Sequence, residues 1–304
     1  MNRILVTGAT GNVGKEVAEA LRHRNVSFMC GVRNLEKARA EIGHEFDLIK
    51  LDFADRSTFE LALEGVDRVF LNYPPETPFE DFHAFIRQAK EQGICHLTYL
   101  SIKDVQYLPF VPHFKNEREI RNSGLSYTFL RAGYFTQNLN MFLLNEIVEH
   151  DRIFVPAGKG KTSFVDLRDS GELAAITLLE PESHCNECYV LTGLEALDFF
   201  EVASIMTEVL GRTIKYTNPN LKTFKSYFLG KGMEERFVNL VGGLHTFTKL
   251  GMAKGIKPDL ERLLGRDPIP VRQYVVDYRG SLKRAINNMS RDKNLYRLPE
   301  WTRT

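Results

Sequence analysis

The sequence predicts an α/β fold: a doubly wound parallel sheet followed by a smaller C-terminal α+β domain. Three observations carry this. Residues 5–14 read Leu-Val-Thr-Gly-Ala-Thr-Gly-Asn-Val-Gly, a glycine turn between an apolar stretch and a helical pattern. Strand and helix signals then alternate through the first half of the chain, which implies right-handed βαβ units and a sheet covered on both faces. Finally, 304 residues, 43% hydrophobic and 26% charged, suffice to bury a full core and match an ordinary globular protein.

Taken in order, Ile4–Val6 is the first strand. Val13–Arg22 is a helix with Val13, Val17, Ala20 and Leu21 on one face. Phe28–Val32 is the second strand, and Asn34 caps a helix running through Ala40. Phe46–Leu51 is the third strand, ending at Asp52. Asp55 or Ser57 opens a helix to Leu63, which Gly65 stops. Val69–Leu71 is the fourth strand, ended by Pro74-Pro75. Phe79–Gln92 is helical, with Phe82, Phe85, Ile86 and Ala89 as its apolar stripe. His96–Leu100 is the fifth strand, Phe114–Asn122 a helix and Tyr127–Leu130 the sixth strand.

After Arg131 the rhythm loosens. Phe135–Val148 reads as one apolar helix, and Ile153–Pro156 and Ser163–Val165 as short strands around Gly158-Lys-Gly160. Leu167–Leu179 reads as a helix, Cys188–Leu191 as a strand, Phe199–Leu210 as a helix and Ile214–Tyr216 as a strand. Residues 220–264 read as helices broken by Gly230, Gly232, Gly242, Gly243, Gly251 and Gly255. The expected division is a nucleotide-binding domain over 1–155 and a smaller substrate domain over 156–304. Segments within 162–192 are expected to return to the first domain's sheet.

Bulk chemistry narrows the function. A net charge of +1 gives no global pull toward nucleic acid or an acidic membrane surface. No apolar run approaches the roughly 20 residues of a membrane span. The first apolar run is itself a strand, with no leader pattern before it, so a cytoplasmic protein is expected. Residues 279–304 hold seven Lys or Arg against two acids, read as a solvated helix and frayed tail, with a partner contact as the alternative. Cys30 and Cys95 lie in apolar stretches and are expected to be buried packing residues. Cys185 and Cys188 have CxxC spacing, but no second pair exists to complete a zinc site, so no metal is expected. A redox role would favour a helix N-terminus, whereas this pair precedes a strand.

The glycine run is the strongest functional signal. Gly8, Gly11 and Gly14, with Thr10, Asn12 and Val13 between them, sit where a strand turns into a helix. Such a turn lets backbone N–H groups reach a diphosphate at the helix's positive end. An NAD site usually carries Asp or Glu at the end of the second strand. Here that strand ends Val32-Arg33-Asn34, and Arg33 suits a 2′-phosphate instead. NADP(H) is therefore expected in preference to NAD(H). Asp52, followed by Phe53, ends the third strand, where a carboxylate can accept the adenine amine. The backbone of Asn72 and Tyr73, after the fourth strand, would line the adenosine ribose and diphosphate.

Together these residues resemble the NmrA-like branch of the atypical short-chain dehydrogenase/reductases. The resemblance covers most of the chain. It rests on Thr7 to Gly14, Val32-Arg33-Asn34 with Lys37-Ala38, Lys115 with Glu119, and Ser126 to Arg131 leading to Phe135 and Asn138. Val165-Asp166, Arg168-Asp169, Tyr189 to Gly193 and Leu264-Gly-Arg266 complete it. It implies a Rossmann domain binding NAD(P) and a small C-terminal domain closing over the nicotinamide. Some members reduce quinones, azo dyes or metabolite double bonds; others bind the nucleotide as redox sensors and regulate a partner.

The catalytic residues depart from the wider superfamily. Typical members use a Tyr four residues before a Lys, with a Ser on the preceding strand end to position the substrate carbonyl. Ser101 and Lys115 match the Ser and the Lys, but the Tyr position is Val111, which carries no proton. The resemblance implies that Lys115 holds the nicotinamide ribose or acts as acid/base; the plain alternative is a surface Lys paired with Glu119. His113 titrates near neutrality in water and is an outside candidate for the missing acid. A quinone relaxes the demand for an acid, because it takes hydride directly and water can protonate the product. It needs an apolar slot, for which Tyr73, Tyr134, Phe135 and Asn138 are candidates. Two functions are consistent with these residues. One is an NADPH-dependent reductase of quinone-like or other conjugated small-molecule acceptors. The other is a non-catalytic NADP(H)-binding redox sensor with a protein partner.

Overall fold

The computed structural model describes residues 3–289, with side chains through residue 280. The first half alternates as expected. It runs through β1 (Arg3–Thr7), α1 (Asn12–His23), β2 (Phe28–Val32), α2 (Leu35–Ile42), β3 (Leu48–Lys50) and α3 (Phe59–Leu63). It continues through β4 (Val66–Leu71), α4 (Phe79–Glu91), β5 (His96–Ile102), α5 (Pro112–Ser123) and β6 (Ser126–Ala132). Next come β7 (Tyr134–Phe135), α6 (Asn138–Met141), α7 (Leu144–His150), β8 (Arg152–Ile153), β9 (Thr162–Val165), α8 (Leu167–Leu179) and β10 (Glu187–Leu191). The rest is β11 (Ala196–Leu197), α9 (Phe199–Leu210), β12 (Lys215–Tyr216), α10 (Leu221–Gly230), α11 (Glu235–Lys249), α12 (Asp259–Leu264) and α13 (Val271–Met289).

Seven strands form one sheet in the order β10-β6-β5-β4-β1-β2-β3, and every pairing in it is parallel. This is a Rossmann-like sheet, its order reversing between β1 and β4. Because both faces are covered, the central strands are apolar throughout: Ile4, Leu5, Val6, Val69, Phe70 and Leu71 are fully buried. One core layer packs Phe59, Phe82, Phe85 and Ile86 against Leu5, Tyr99 and Phe129. On the α1 side, α8 comes so close that a Cβ on Gly171 would lie 2.6 Å from the Glu16 carbonyl carbon.

The chain divides into two compact units at Ala132/Gly133, earlier than the 155 expected. Residues 133–155 belong to the second unit because Leu139, Leu143, Ile147, Ile153 and Val155 bury into its separate core. Leu167–Leu191 and Asp259–Arg266 group with the first unit. These pieces are tied by polar contacts. Asp259 Oδ2 accepts from the Val190 N–H at 2.9 Å, and the Arg266 guanidinium donates to the buried Asp169 carboxylate at 2.8 Å.

Several local expectations need correction. Phe135–Val148 is not one helix: Tyr134 and Phe135 pair with β9, and the Thr136 N–H donates to the Val165 carbonyl, so helix begins only at Asn138. Gly242 and Gly243 do not break α11; Gly242 lets α11 pass Leu221 of α10, where a Cβ would meet Leu221 Cδ1 at 2.9 Å. Cys95 is exposed, since it precedes β5 rather than lying inside it. Among the described residues, no helix is long and apolar enough to cross a membrane. Most of the basic segment 279–304 lies outside the described residues.

Two histidines are fully buried. His96 in β5 meets the Ser126 and Thr128 hydroxyls at 2.8 and 3.0 Å; His245 in α11 donates from Nδ1 to the Val241 carbonyl at 2.8 Å. Burial, aided at His96 by His184 and Arg68, lowers both from the ordinary 6.5 to about 4. The unfolded chain therefore binds more protons than the folded one between pH 6.5 and 4, and stability falls as pH falls through that window. The unfolding free energy from urea titration should be level above pH 7 and should drop toward pH 4.5, by about 1.4 kcal/mol per pH unit per histidine. A level free energy across that range would show that these rings are not held neutral.

Candidate functional site

In the first unit the glycine run folds as a closed cradle. Gly8 adopts φ +65°, a left-handed conformation open to glycine, and its carbonyl accepts the Gly11 N–H at 2.9 Å. The first turn of α1 then packs directly on that carbonyl: a Cβ on Gly14 would lie 2.2 Å from Gly8 O. Gly11 is the N-cap of α1 and supplies no side-chain cap, while Thr10, Gly11 and Asn12 are exposed and Val13 is buried. The α1 N-terminus thus presents uncapped N–H groups at a turn that only small residues can build. Thr7 Oγ1 accepts from the Asn72 N–H at 2.9 Å, tying the ends of β1 and β4 together beside it.

Arg33 follows β2 and is exposed, while Asn34 Oδ1 caps α2 by accepting the Lys37 N–H at 2.9 Å. Asp52 is half-buried and does not cap the next helix; Asp55 does that, accepting from Ser57. Asp52 Oδ1 instead accepts the Ala54 N–H at 3.0 Å. Two expected contributors turn inward. The Phe53 ring packs with Phe59, Phe82 and Phe85 at centroid distances of 5.2–6.3 Å, so only its backbone remains for the nucleotide. The Tyr73 ring stacks on Phe79, and its hydroxyl donates to the Thr77 carbonyl at 2.6 Å, which removes it from the acceptor slot.

Ser101 is also not available to a substrate. β5 runs past the expected Leu100 to Ile102, which pairs Ser101 with Arg131 across the ladder. Its buried hydroxyl donates to Glu117 Oε1 at 2.7 Å. Arg131 grips the same carboxylate from both sides, Nε to Oε1 at 3.0 Å and Nη2 to Oε2 at 2.6 Å. This buried ion pair joins β5, α5 and β6. Sequence reasoning missed it; the one signal was a charged Arg131 closing an otherwise apolar strand.

Val111 is the N-cap of α5 and Pro112 its first residue, so the helix starts two residues before the Phe114 expected. Lys115 is exposed, with Nζ 4.9 Å from the centroid of the Phe79 ring. Glu119 pairs with Arg87 at 3.3 Å rather than with Lys115. His113, in the first turn of α5, is half-buried and bonds the Tyr99 hydroxyl through Nδ1 at 2.8 Å. Burial lowers it to about 4, against a weaker opposing pull from Glu117. It is therefore neutral at pH 7 and is not the charged acid suggested by its behaviour in water.

In the second unit, Tyr134, Phe135 and Asn138 are each half-buried. The Tyr134 hydroxyl points inward: His245 donates from Nδ1 to Val241, leaving Nε2 to accept from Tyr134 at 3.3 Å, and Asn138 bonds the same hydroxyl. Its ring packs edge-on to Phe164 and Phe199. A cleft of about 220 Å³ in this unit, which the sequence did not signal, is lined by Phe164, Gly193, Leu194, Glu195 and residues 267–271. Of the cysteine pair, Cys185 lies 3.2 Å from the Ser126 hydroxyl and Cys188 3.2 Å from an Arg121 nitrogen.

A parallel sheet with this strand order, and a glycine cradle at the end of its first strand, define a Rossmann-like protein. The chain belongs to the NmrA-like family, whose model matches residues 1–274. It is 30% identical over 278 residues to the NAD(P)H azoreductase of Xenophilus azovorans, covering 89% of this chain and 95% of that protein. It is 28% identical over 276 residues to prestalk A differentiation protein A of Dictyostelium discoideum, covering 89% and 90%. An Escherichia coli NADPH-dependent quinone oxidoreductase, solved in complex with NADPH, superposes with a TM-score of 0.80 at 24% identity, covering 90% of this chain and 99% of that one.

The Glu117–Arg131 pair has a measurable signature. Arg131→Met should cost about 3–5 kcal/mol in urea unfolding, because it leaves a buried carboxylate uncompensated. The double variant Arg131→Met/Glu117→Leu should recover most of that loss. Equal stability of the single variant and wild type would show that the carboxylate is solvated.

Proposed function

We propose that the protein is an NADPH-dependent reductase of quinone-like or other conjugated small-molecule acceptors, acting by direct hydride transfer. The observation that carries this reading is the uncapped α1 N-terminus closed by Gly8, Gly11 and Gly14, with Arg33 exposed after the neighbouring strand. Those residues fit a dinucleotide with a 2′-phosphate. The α1 N–H groups bind the diphosphate, and Arg33 grips the 2′-phosphate with a planar bidentate cation. Asp52 accepts the adenine amine, and the Asn72 and Tyr73 backbone lines the ribose. Lys115 holds the hydroxyls of the nicotinamide ribose. Bound there, the reduced nicotinamide supplies the hydride.

Val111 decides the acceptor class. With no tyrosine to deliver a proton, this chain suits acceptors whose reduced oxygen is protonated by water. A similar structure named as a quinone oxidoreductase supports that class, and a relative named as an azoreductase supports the wider range of conjugated acceptors. A non-catalytic NADP(H) sensor acting on a protein partner is the second reading. It is favoured by Val111 and by the likeness to a differentiation protein.

Purified protein mixed with NADPH and a panel of quinones, azo dyes and enones should oxidise the nicotinamide, followed by its absorbance. Tight NADPH binding without turnover on any acceptor would favour the sensor instead. Arg33→Ala should weaken NADPH about 10–100-fold, the value of a charge-assisted hydrogen bond, and NADH by under about twofold. Equal losses for both would remove Arg33 from the 2′-phosphate site.

A further inference from the structure

A polar chain runs through the first unit and ends at His113. His83 Nε2 bonds Asn116 Oδ1 at 3.1 Å, Asn116 Nδ2 donates to the Tyr99 hydroxyl at 3.1 Å, and that hydroxyl meets His113 Nδ1 at 2.8 Å. Tyr99 and Asn116 are fully buried. The amide of Asn116 can only donate to Tyr99, so the tyrosine's single proton goes to His113 Nδ1. Nδ1 is then an acceptor, and in a neutral ring the remaining proton sits on Nε2. Nε2 has no protein partner among the described residues, and the ring is half-buried. His113 also packs edge-on to Tyr73, which follows β4, so it lies at the strand-end edge where the cradle sits. At this edge, an N–H with no protein partner is left able to donate to a ligand.

We infer that His113 Nε2–H is the hydrogen-bond donor to the acceptor's oxygen, giving a polarisation that Val111 cannot give. This rests on the reductase reading above. The donor polarises and does not protonate. The acceptor carbon gains hydride as the reduced nicotinamide is oxidised. The electron pair displaced from the acceptor's C=O bond stays on oxygen, which takes its proton from water, and the Nε2–H bond is not broken. Such a donor, fixed beforehand in a half-buried setting, stabilises the developing oxyanion without reorganising. The groups facing His113 are Tyr99 from β5, Tyr73 after β4 and Glu117 of its own helix, with His83 of α4 reaching it through Asn116.

Nitrogen-15 NMR of histidine-labelled apo protein reads the tautomer without any turnover. His113 should show a protonated Nε2 and a bare Nδ1, unchanged from about pH 5.5 to 8.5, as its lowered affinity for protons requires. A protonated Nδ1 overturns the inference. With a quinone that the wild type reduces, His113→Phe should lower kcat about 10²–10³-fold, the usual cost of losing one such donor. NADPH affinity should hold within about twofold, and His113→Gln, which keeps an N–H, should recover most of kcat. The wild-type kcat should be level across the same pH range. A rise toward acid with a midpoint near 6.5, or a Phe variant as fast as wild type, overturns the inference while leaving the reductase reading intact. Absence of turnover by the wild type overturns both. If His113→Phe does not fold, Tyr99→Phe serves: it should mix the two tautomers in the spectrum and lower kcat, and failure to do either refutes the relay.

Discussion

The Glu117 carboxylate, shared between Arg131 and Ser101, governs how the strand-end edge of the first unit is arranged. It joins two neighbouring strands to the helix that carries His113 and Lys115. Burying one carboxylate is expensive, and that cost is offset only if both oxygens keep strong partners in good geometry. The fork of Arg131 and the hydroxyl of Ser101 supply them. Any rotation of α5 would break three hydrogen bonds at once, so the first turn of α5 is held in one pose. The Tyr99–Asn116 hydrogen bonds can then act as a fixed relay rather than a mobile one.

The frame was legible because its signals are local. Strand alternation, the glycine run and the stop residues each act within a few positions, and they located the first six strands and the cradle. The illegible parts depended on distant partners. Ser101 resembled a substrate-binding serine because nothing in its neighbourhood reveals Arg131 across the ladder and Glu117 on the next helix. The Phe135–Val148 stretch has a helical apolar pattern, but its first residue, like Tyr134 before it, is claimed by pairing with β9, some 30 residues on. Cys95 shares its apolar neighbourhood with buried residues, yet it stands just before the strand. The unit boundary obeyed the same rule: residues 133–155 run on from β6 without a break in pattern, but their apolar side chains pack with α9, α10 and α11.

The candidate site shows a consistent division of labour. The aromatic rings at the strand ends, Phe53 and Tyr73, turn into the core and stiffen the edge. The groups left at that edge are backbone amides, the Asp52 carboxylate, one arginine, one lysine and one imidazole N–H. The imidazole, the group that would titrate near neutral pH in water, is kept neutral at His113 by burial. Binding strength and polarisation at such an edge stay constant where a titrating acid would vary.

The first unit is built from three separate stretches of chain, residues 1–132, 167–191 and 259–266. Until β10 arrives, β6 is an open sheet edge, and until α8 arrives the apolar face of α1 lacks its cover. Both come only after 34 residues of the second unit have been made, and the Arg266 clamp comes after 67 more. Closure of the first unit is therefore a late, long-range event. During synthesis, a chain stalled near residue 150 exposes a parallel strand edge and an unsheathed helix, the combination that invites aggregation.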